Sequence, residues 1–212
     1  MGRINLVVLY GGQSAEHDVS CVTAAHVLAA VDPERYRVTP IGISRRGEWA
    51  LGEATLAALE AGPGALPDRL DPTGAPLPIG SLPATATAPD DGPTVVFPLL
   101  PGPLGEDGTV QGMFELADAA YVGSGVLGSA LAMDKGAAME MLGAHGIAQA
   151  GYRSFHVDDV SVALLDGIVE QLGLPLFVKP ANMGSSVGVT KAHDRSELAA
   201  AVDTAAGYDE WI

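Results

Sequence analysis

Apolar residues run unbroken through positions 6–10 and stop at Gly11-Gly12. A short continuous apolar run bounded by glycine marks a strand buried on both faces, so residues 4–10 are expected to form an inner strand. Residues 20–31, rich in Ala, Val and Leu, are expected to form a helix that Asp32-Pro33 ends. Tyr36–Ile43 reads as a second strand, and residues 47–51 as a short hairpin. Strand, helix and strand in succession predict an α/β fold built on a Rossmann-like parallel sheet.

From residue 52 to 93 the pattern dissolves into Ala, Gly and Pro with scattered acids. Residues 55–61 have room for one or two helical turns, and 63–93 reads as a long loop. Loops of that length are uncommon inside compact domains, so 52–93 is expected to be a loop-rich insertion. Pattern returns with a strand at 94–97 and a helix at 109–118 carrying Val110, Met113, Phe114 and Ala117 on one face. A short strand at 120–122 and a turn at 123–125 follow.

Asp134 suits the cap of a helix reaching about residue 144, with Gly146 beyond its end. Val162, Leu165, Val169 and Leu172 give the next helix an apolar stripe, which Gly173 stops. Leu176, Phe177 and Val178 form a strand that delivers Lys179 to its end, and Pro180 blocks further pairing. Residues of β character resume at Val187, Val189 and Thr190, which makes 184–188 a loop between strands. Asp194 and Glu197 resemble a capping box for a last helix. Residues 208–212 read as the approach to a further strand.

Composition narrows the classes. The chain has 212 residues, 48% of them hydrophobic, which is enough to bury a core in one or two domains. A net charge of −15 without a Lys/Arg cluster argues against nucleic acid. The lone cysteine, Cys21, excludes an internal disulfide framework and is read as a packed core thiol in a reducing cytosol. No apolar stretch approaches a membrane span, and no signal-peptide core is present, so a cytoplasmic location is expected.

Candidate chemistry sits at turns. Gly184, Ser185, Ser186 and Gly188 form a small-residue loop whose backbone N–H groups can close on a phosphate beside Lys179. It is not a Walker-type P-loop, because strand rather than helix follows it. Glu16 lies at the sheet edge where α/β ligands bind, and could hold a ligand ammonium or simply favour a helix N-terminus. Glu106 and Asp107, after a second Gly-rich turn between strand and helix, are read as acids that favour the helix N-terminus, against a functional role at that turn. Lys135, in the first turn of its helix, opposes the helix dipole and so suggests an anion contact, against the plain alternative of a solvated lysine.

These clusters fall in one order: Gly-Gly-x-Ser-Ala-Glu-x-x-Val-Ser from Gly11, Gly-Glu-Asp-Gly-Thr-x-Gln-Gly from Gly105, Tyr-Val-Gly-Ser-Gly-Val from Tyr121, Met-Asp-Lys ending at Lys135, and Val-Lys-Pro with Gly-Ser-Ser-x-Gly ending at Gly188. In that order they resemble the D-alanine–D-alanine ligases of the ATP-grasp superfamily, from Val7 to the last residue. The resemblance implies a substrate-binding α/β domain over 1–134, then the first α+β half of an ATP-grasp domain over 135–212.

It also implies ATP-driven condensation of two D-alanines through an acylphosphate, for peptidoglycan and cell wall synthesis. By similarity, Glu16 and Ser185 are the catalytic-site residues and, with Glu106 in support of Glu16, bind the first D-alanine. Lys135, Lys179, Gly184, Ser185, Ser186 and Gly188 bind ATP.

The family pattern carries His-Gly where this chain has Pro101-Gly102, a departure at the first-substrate site. Family chains also run on to supply the ligands of Mg²⁺ or Mn²⁺ and a closing loop. None of these is found here, so an N-terminal fragment, inactive alone and a homodimer when complete, is the expectation. Two alternatives stay open: a D-alanine–D-lactate ligase of the vancomycin-resistance type, and a non-catalytic nucleotide-binding module. Against the module, Gly11–Ser14 lacks the Gly-x-Gly-x-x-Gly fingerprint.

Overall fold

A computed structural model describes residues 2–62, 64–79 and 92–212. They fall into two compact units, Met1–Ser129 and Ala130–Ile212.

In the first unit, β1 (Ile4–Gly11), β2 (Tyr36–Ile43), β3 (Trp49–Leu51), β4 (Ala75–Leu77) and β5 (Thr94–Leu99) form one sheet in the order β4-β3-β2-β1-β5. Strands β2 and β5 flank β1 in parallel, with Val8 opposite both Pro40 and Phe97. Alternate β1 side chains feed two cores. Leu6, Val8 and Tyr10 pack with Leu70 and with Cys21, Ala24, Ala25 and Leu28 of α1 (His17–Ala30). Further along, α2 (Glu53–Ala61) precedes α3 (Thr109–Leu116). Val7 and Leu9 point the other way, onto Ile41, Val96 and the α3 residues Val110 and Phe114. Burial on both faces is why the apolar run shows no alternation, and each such side chain contributes about 1.5–3 kcal/mol. The parallel α/β architecture is as expected.

Several boundaries differ from expectation. Helix α1 starts at His17 rather than residue 20, because its first turn is polar and hydrogen-bonded, His17 N–H donating to Ser14 O (3.2 Å). Strand β4 lies inside the stretch expected to be loop, pairing Ala75 with Leu51 and Leu77 with Trp49. Pro76 is tolerated there because β4 is an edge strand. Residues 63 and 80–91 of that expected loop lie outside the described residues.

The strand at 120–122 reduces to a bridge between Tyr121 and Val96, and Tyr121 packs on Phe114 with ring centroids 5.2 Å apart. A helix, α4 (Val126–Met133), stands where no element was expected; its sequence is apolar nearly all round, so it shows no period.

The second unit holds α5 (Lys135–Ala144), α6 (Val162–Leu172), the antiparallel pair β6 (Leu176–Val178) and β7 (Thr190–Ala192), and α7 (Arg195–Ala206). Its core joins Phe155, Leu165, Ile168, Val178, Ala192, Leu198, Ala201, Val202, Ala205 and Ile212. The expected caps form: Asp134 accepts from Ala137 N–H (2.8 Å), and Asp194 from Ser196 N–H (2.8 Å) and Glu197 N–H (2.9 Å). Glu197 returns to His193 N–H (2.7 Å), one residue ahead of where a capping box would place it.

Two expectations are corrected. Pairing after the loop resumes only at Thr190, because Val187 and Val189 turn back on Gly184 O (2.9 Å) and Ser186 O (3.2 Å). Residues 210–212 are paired rather than waiting for a partner: Ile212 and Phe155 exchange backbone bonds of 3.0 Å, and Val157 N–H reaches Glu210 O (2.9 Å).

Candidate functional site

In the first unit the chemistry gathers where β1 and β5 end. Ser20, buried on α1, accepts from Gly11 N–H (2.8 Å) and donates to Leu99 O, tying the two strand ends together. Glu16 is the N-cap residue of α1, yet its carboxylate makes no capping bond to the helix. Its Oε2 instead rests against Gly102, where an added Cβ would fall 2.5 Å away. With φ at +80°, Gly102 also occupies the left-handed region. Ser14 stitches the same place together, donating from Oγ to Pro101 O (2.8 Å) and accepting from Glu16 N–H (3.2 Å).

The second Gly-rich turn is closed by its acids. Glu106 Oε2 accepts from Gly102 N–H (2.7 Å). Asp107 accepts from Leu104 N–H (2.8 Å) and Thr109 N–H (2.9 Å). Burial alone would raise the Asp107 carboxyl, but these bonds outweigh it and hold it below the usual carboxylate value. Glu106 and Glu16 thus both meet Gly102, while Asp107 shapes the turn.

In the second unit a cleft of about 420 Å³ is lined by Lys135, Phe177, Lys179, Met183, Gly184, Ser185, Ser186 and Val189. Asp134, by capping α5, sets Lys135 at the first helical position. Its Nζ donates to Ala181 O (3.1 Å) and Met183 O (2.5 Å). Burial first, and then the like charge of Lys179, hold the Lys135 ammonium below the ordinary lysine value. Ser185 and Ser186 take φ of +43° and +59°, uncommon for residues with a side chain.

Gly188 lies outside the cleft lining and serves the loop from beneath. At φ +69°, a Cβ there would meet Pro180 Cγ and Tyr208 Cδ2, each at 2.7 Å. Asp209 anchors the loop's other end, its Oδ2 accepting from Asn182 N–H (2.6 Å) and Asn182 Nδ2 (3.1 Å) and its Oδ1 from Trp211 N–H (3.1 Å). It also favours the charged form of Lys135.

Two family profiles match this chain. The one described as D-ala D-ala ligase N-terminus covers residues 5–124, and the one described as D-ala D-ala ligase C-terminus covers 141–212. The chain belongs to the D-alanine–D-alanine ligase family. A family relative from Mesorhizobium japonicum, D-alanine–D-alanine ligase A, is 47% identical over 98% of this chain. The match spans 58% of that relative's length.

Among solved structures, the D-alanine–D-alanine ligase from Coxiella burnetii shares 29% identity with a TM-score of 0.81 over 99% of this chain and 62% of its own. The VanG D-Ala:D-Ser ligase from Enterococcus faecalis shares 32% identity with a TM-score of 0.77 over 99% and 61%.

Of the residues singled out in the sequence, Lys135, Lys179, Gly184, Ser185 and Ser186 share one cleft, and Glu16 and Glu106 share Gly102. Ser14 and Ser20 fall in the Gly-Gly-x-Ser-Ala-Glu-x-x-Val-Ser motif but were given no role, and Asp209 was not singled out. A serine within Gly-x-Ser-x-Glu could have flagged Ser14, but nothing local marks Asp209, whose partner Asn182 is 27 residues away.

Proposed function

We propose that this chain supplies the first-substrate and phosphate sites of an ATP-dependent ligase that joins two D-alanines for peptidoglycan synthesis. Residues 1–134 carry the amino acid and 135–212 the phosphates. Glu16 takes the first D-alanine's ammonium by a charge-assisted hydrogen bond, with Glu106 setting the turn beneath it. Lys135 and Lys179 hold ATP phosphates against the 184–188 loop, and Ser185 positions the substrate carboxylate that accepts the phosphoryl group. The amine of the second D-alanine then attacks the acylphosphate and expels phosphate. Nothing here requires a protein nucleophile; positioning and charge carry the reaction.

The observation that carries this reading is a pair of lysines lining one cleft. Burial and the like charge of Lys179 both disfavour the Lys135 ammonium, and an anion between them relieves that cost. Mg²⁺ or Mn²⁺ accompanies ATP in this scheme. Among the described residues no group of three or more His, Cys, Asp or Glu could hold a metal ion. No described helix is long and apolar enough to cross a membrane. Homodimer formation and a cytoplasmic location belong to the same reading and are checked by light scattering and cell fractionation.

Joining the chain to the part of the Mesorhizobium japonicum relative beyond the match gives a protein for assay. D-alanine-dependent phosphate release with D-alanyl-D-alanine as product supports the proposal. ATP turnover only with an unrelated carboxylate overturns it. Offering D-lactate and D-serine identifies the second substrate. The 212-residue chain alone is expected to bind ATP weakly and to release no phosphate.

A further inference from the structure

Gln111 is 6% exposed, in the first turn of α3, and nothing in the scheme above uses it. Its Nε2 donates to Gly105 O at 2.8 Å, while its Oε1 is buried with no hydrogen-bond partner among the described residues. A half-satisfied buried amide is a poor choice for packing, since a methionine would fill similar space without the unpaired oxygen. The single bond it makes therefore needs an explanation.

The Gly105–Glu106 peptide group supplies one. Gln111 holds its oxygen, and Gly102 O accepts from its N–H, the amide of Glu106, at 2.9 Å. With both ends fixed, the peptide plane cannot rotate. Glu106 leaves that plane and returns its carboxylate to Gly102 N–H at 2.7 Å. Gly102 in turn is the surface on which Glu16 Oε2 rests.

We infer that Gln111 is a positioning residue: through the Gly105–Glu106 peptide it sets the Gly102 surface that orients Glu16 toward a substrate ammonium. The inference rests on the proposed role of Glu16, but its structural half can be tested separately.

Gln111→Met removes the donor and the unpaired acceptor while keeping the shape. The variant also leaves the buried Gly105 O without its donor, so its melting temperature should fall, and amide exchange at Gly102 and Glu106 should quicken by more than exchange at Val8, which reports the global change. D-alanine should bind about five- to tenfold more weakly, the range expected for one hydrogen bond. A residue with only a structural role would quicken exchange at Gly102, Glu106 and Val8 alike and leave D-alanine affinity unchanged.

Unchanged exchange at Gly102 and Glu106 overturns the inference. Should the parent chain fail to bind D-alanine, the reading of Glu16 falls, and the exchange result still decides on Gln111. If the variant does not fold, exchange of the Gln111 side-chain amide is measured in the parent. Exchange slower than that of the exposed Gln13 supports the bond, and exchange as fast as Gln13 overturns it.

Discussion

Lys135 shows how a single residue carries a testable charge. Burial and then Lys179 disfavour its ammonium in the folded chain, so it loses its proton below the ordinary lysine value of 10.5. Between the lowered value and 10.5 the unfolded chain binds more protons, and stability contributed by this group rises with pH. ATP affinity should fall over the same window, because the phosphate loses its cation. Titrating ATP at increasing pH checks this, and Lys179→Ala should move the midpoint upward by removing the like charge. Glu16→Gln should weaken D-alanine and leave ATP binding unchanged, whereas Lys179→Ala should do the reverse; calorimetric titration of each ligand separates them. Pro101→His should raise turnover of the joined protein if the family histidine matters at this site. Glu16, Lys135 and Lys179 could be singled out because the signals that flag them, charged residues at strand ends and a cation in a first helical turn, are local. The bridging role of Ser20 and the anchoring role of Asp209 were not legible, because they depend on strand ends and on a loop distant in sequence.

Among the elements, the loop between β6 and β7 is the one most exposed to damage. Gly188→Ala would combine a left-handed backbone with contacts to Pro180 and Tyr208, and should destabilise the second unit by about 1–3 kcal/mol. Thermal unfolding measures that cost, and ATP affinity should drop with it. Elements with a strong period or cap, such as β1, α6 and α7, were readable from the chain. Three were not. Strand β4 is too short to alternate, α4 has no polar face, and the last residues gain their pairing from residues 155–157, which no local pattern announces. The loop itself was recognised, although its second strand begins three residues later than Val187 suggests.

At the scale of the molecule, each unit owns a core, so a ligand held by one unit should protect that unit's core and leave the other's unchanged. Mg-ATP at one hundred times its dissociation constant should protect residues 130–212 by about 2.7 kcal/mol in hydrogen exchange and leave β1 unchanged. D-alanine should protect the Gly102 turn. The Asp209 carboxylate carries one more implication. It fastens Asn182 at one end of the loop while fixing Trp211, whose own carbonyl accepts from Ala181 N–H (2.9 Å). The spacing between α7 and Trp211 is therefore a measured length rather than a tether. Related sequences should carry no insertions or deletions across 207–208, since one extra residue would shift the loop that faces the lysines across the cleft.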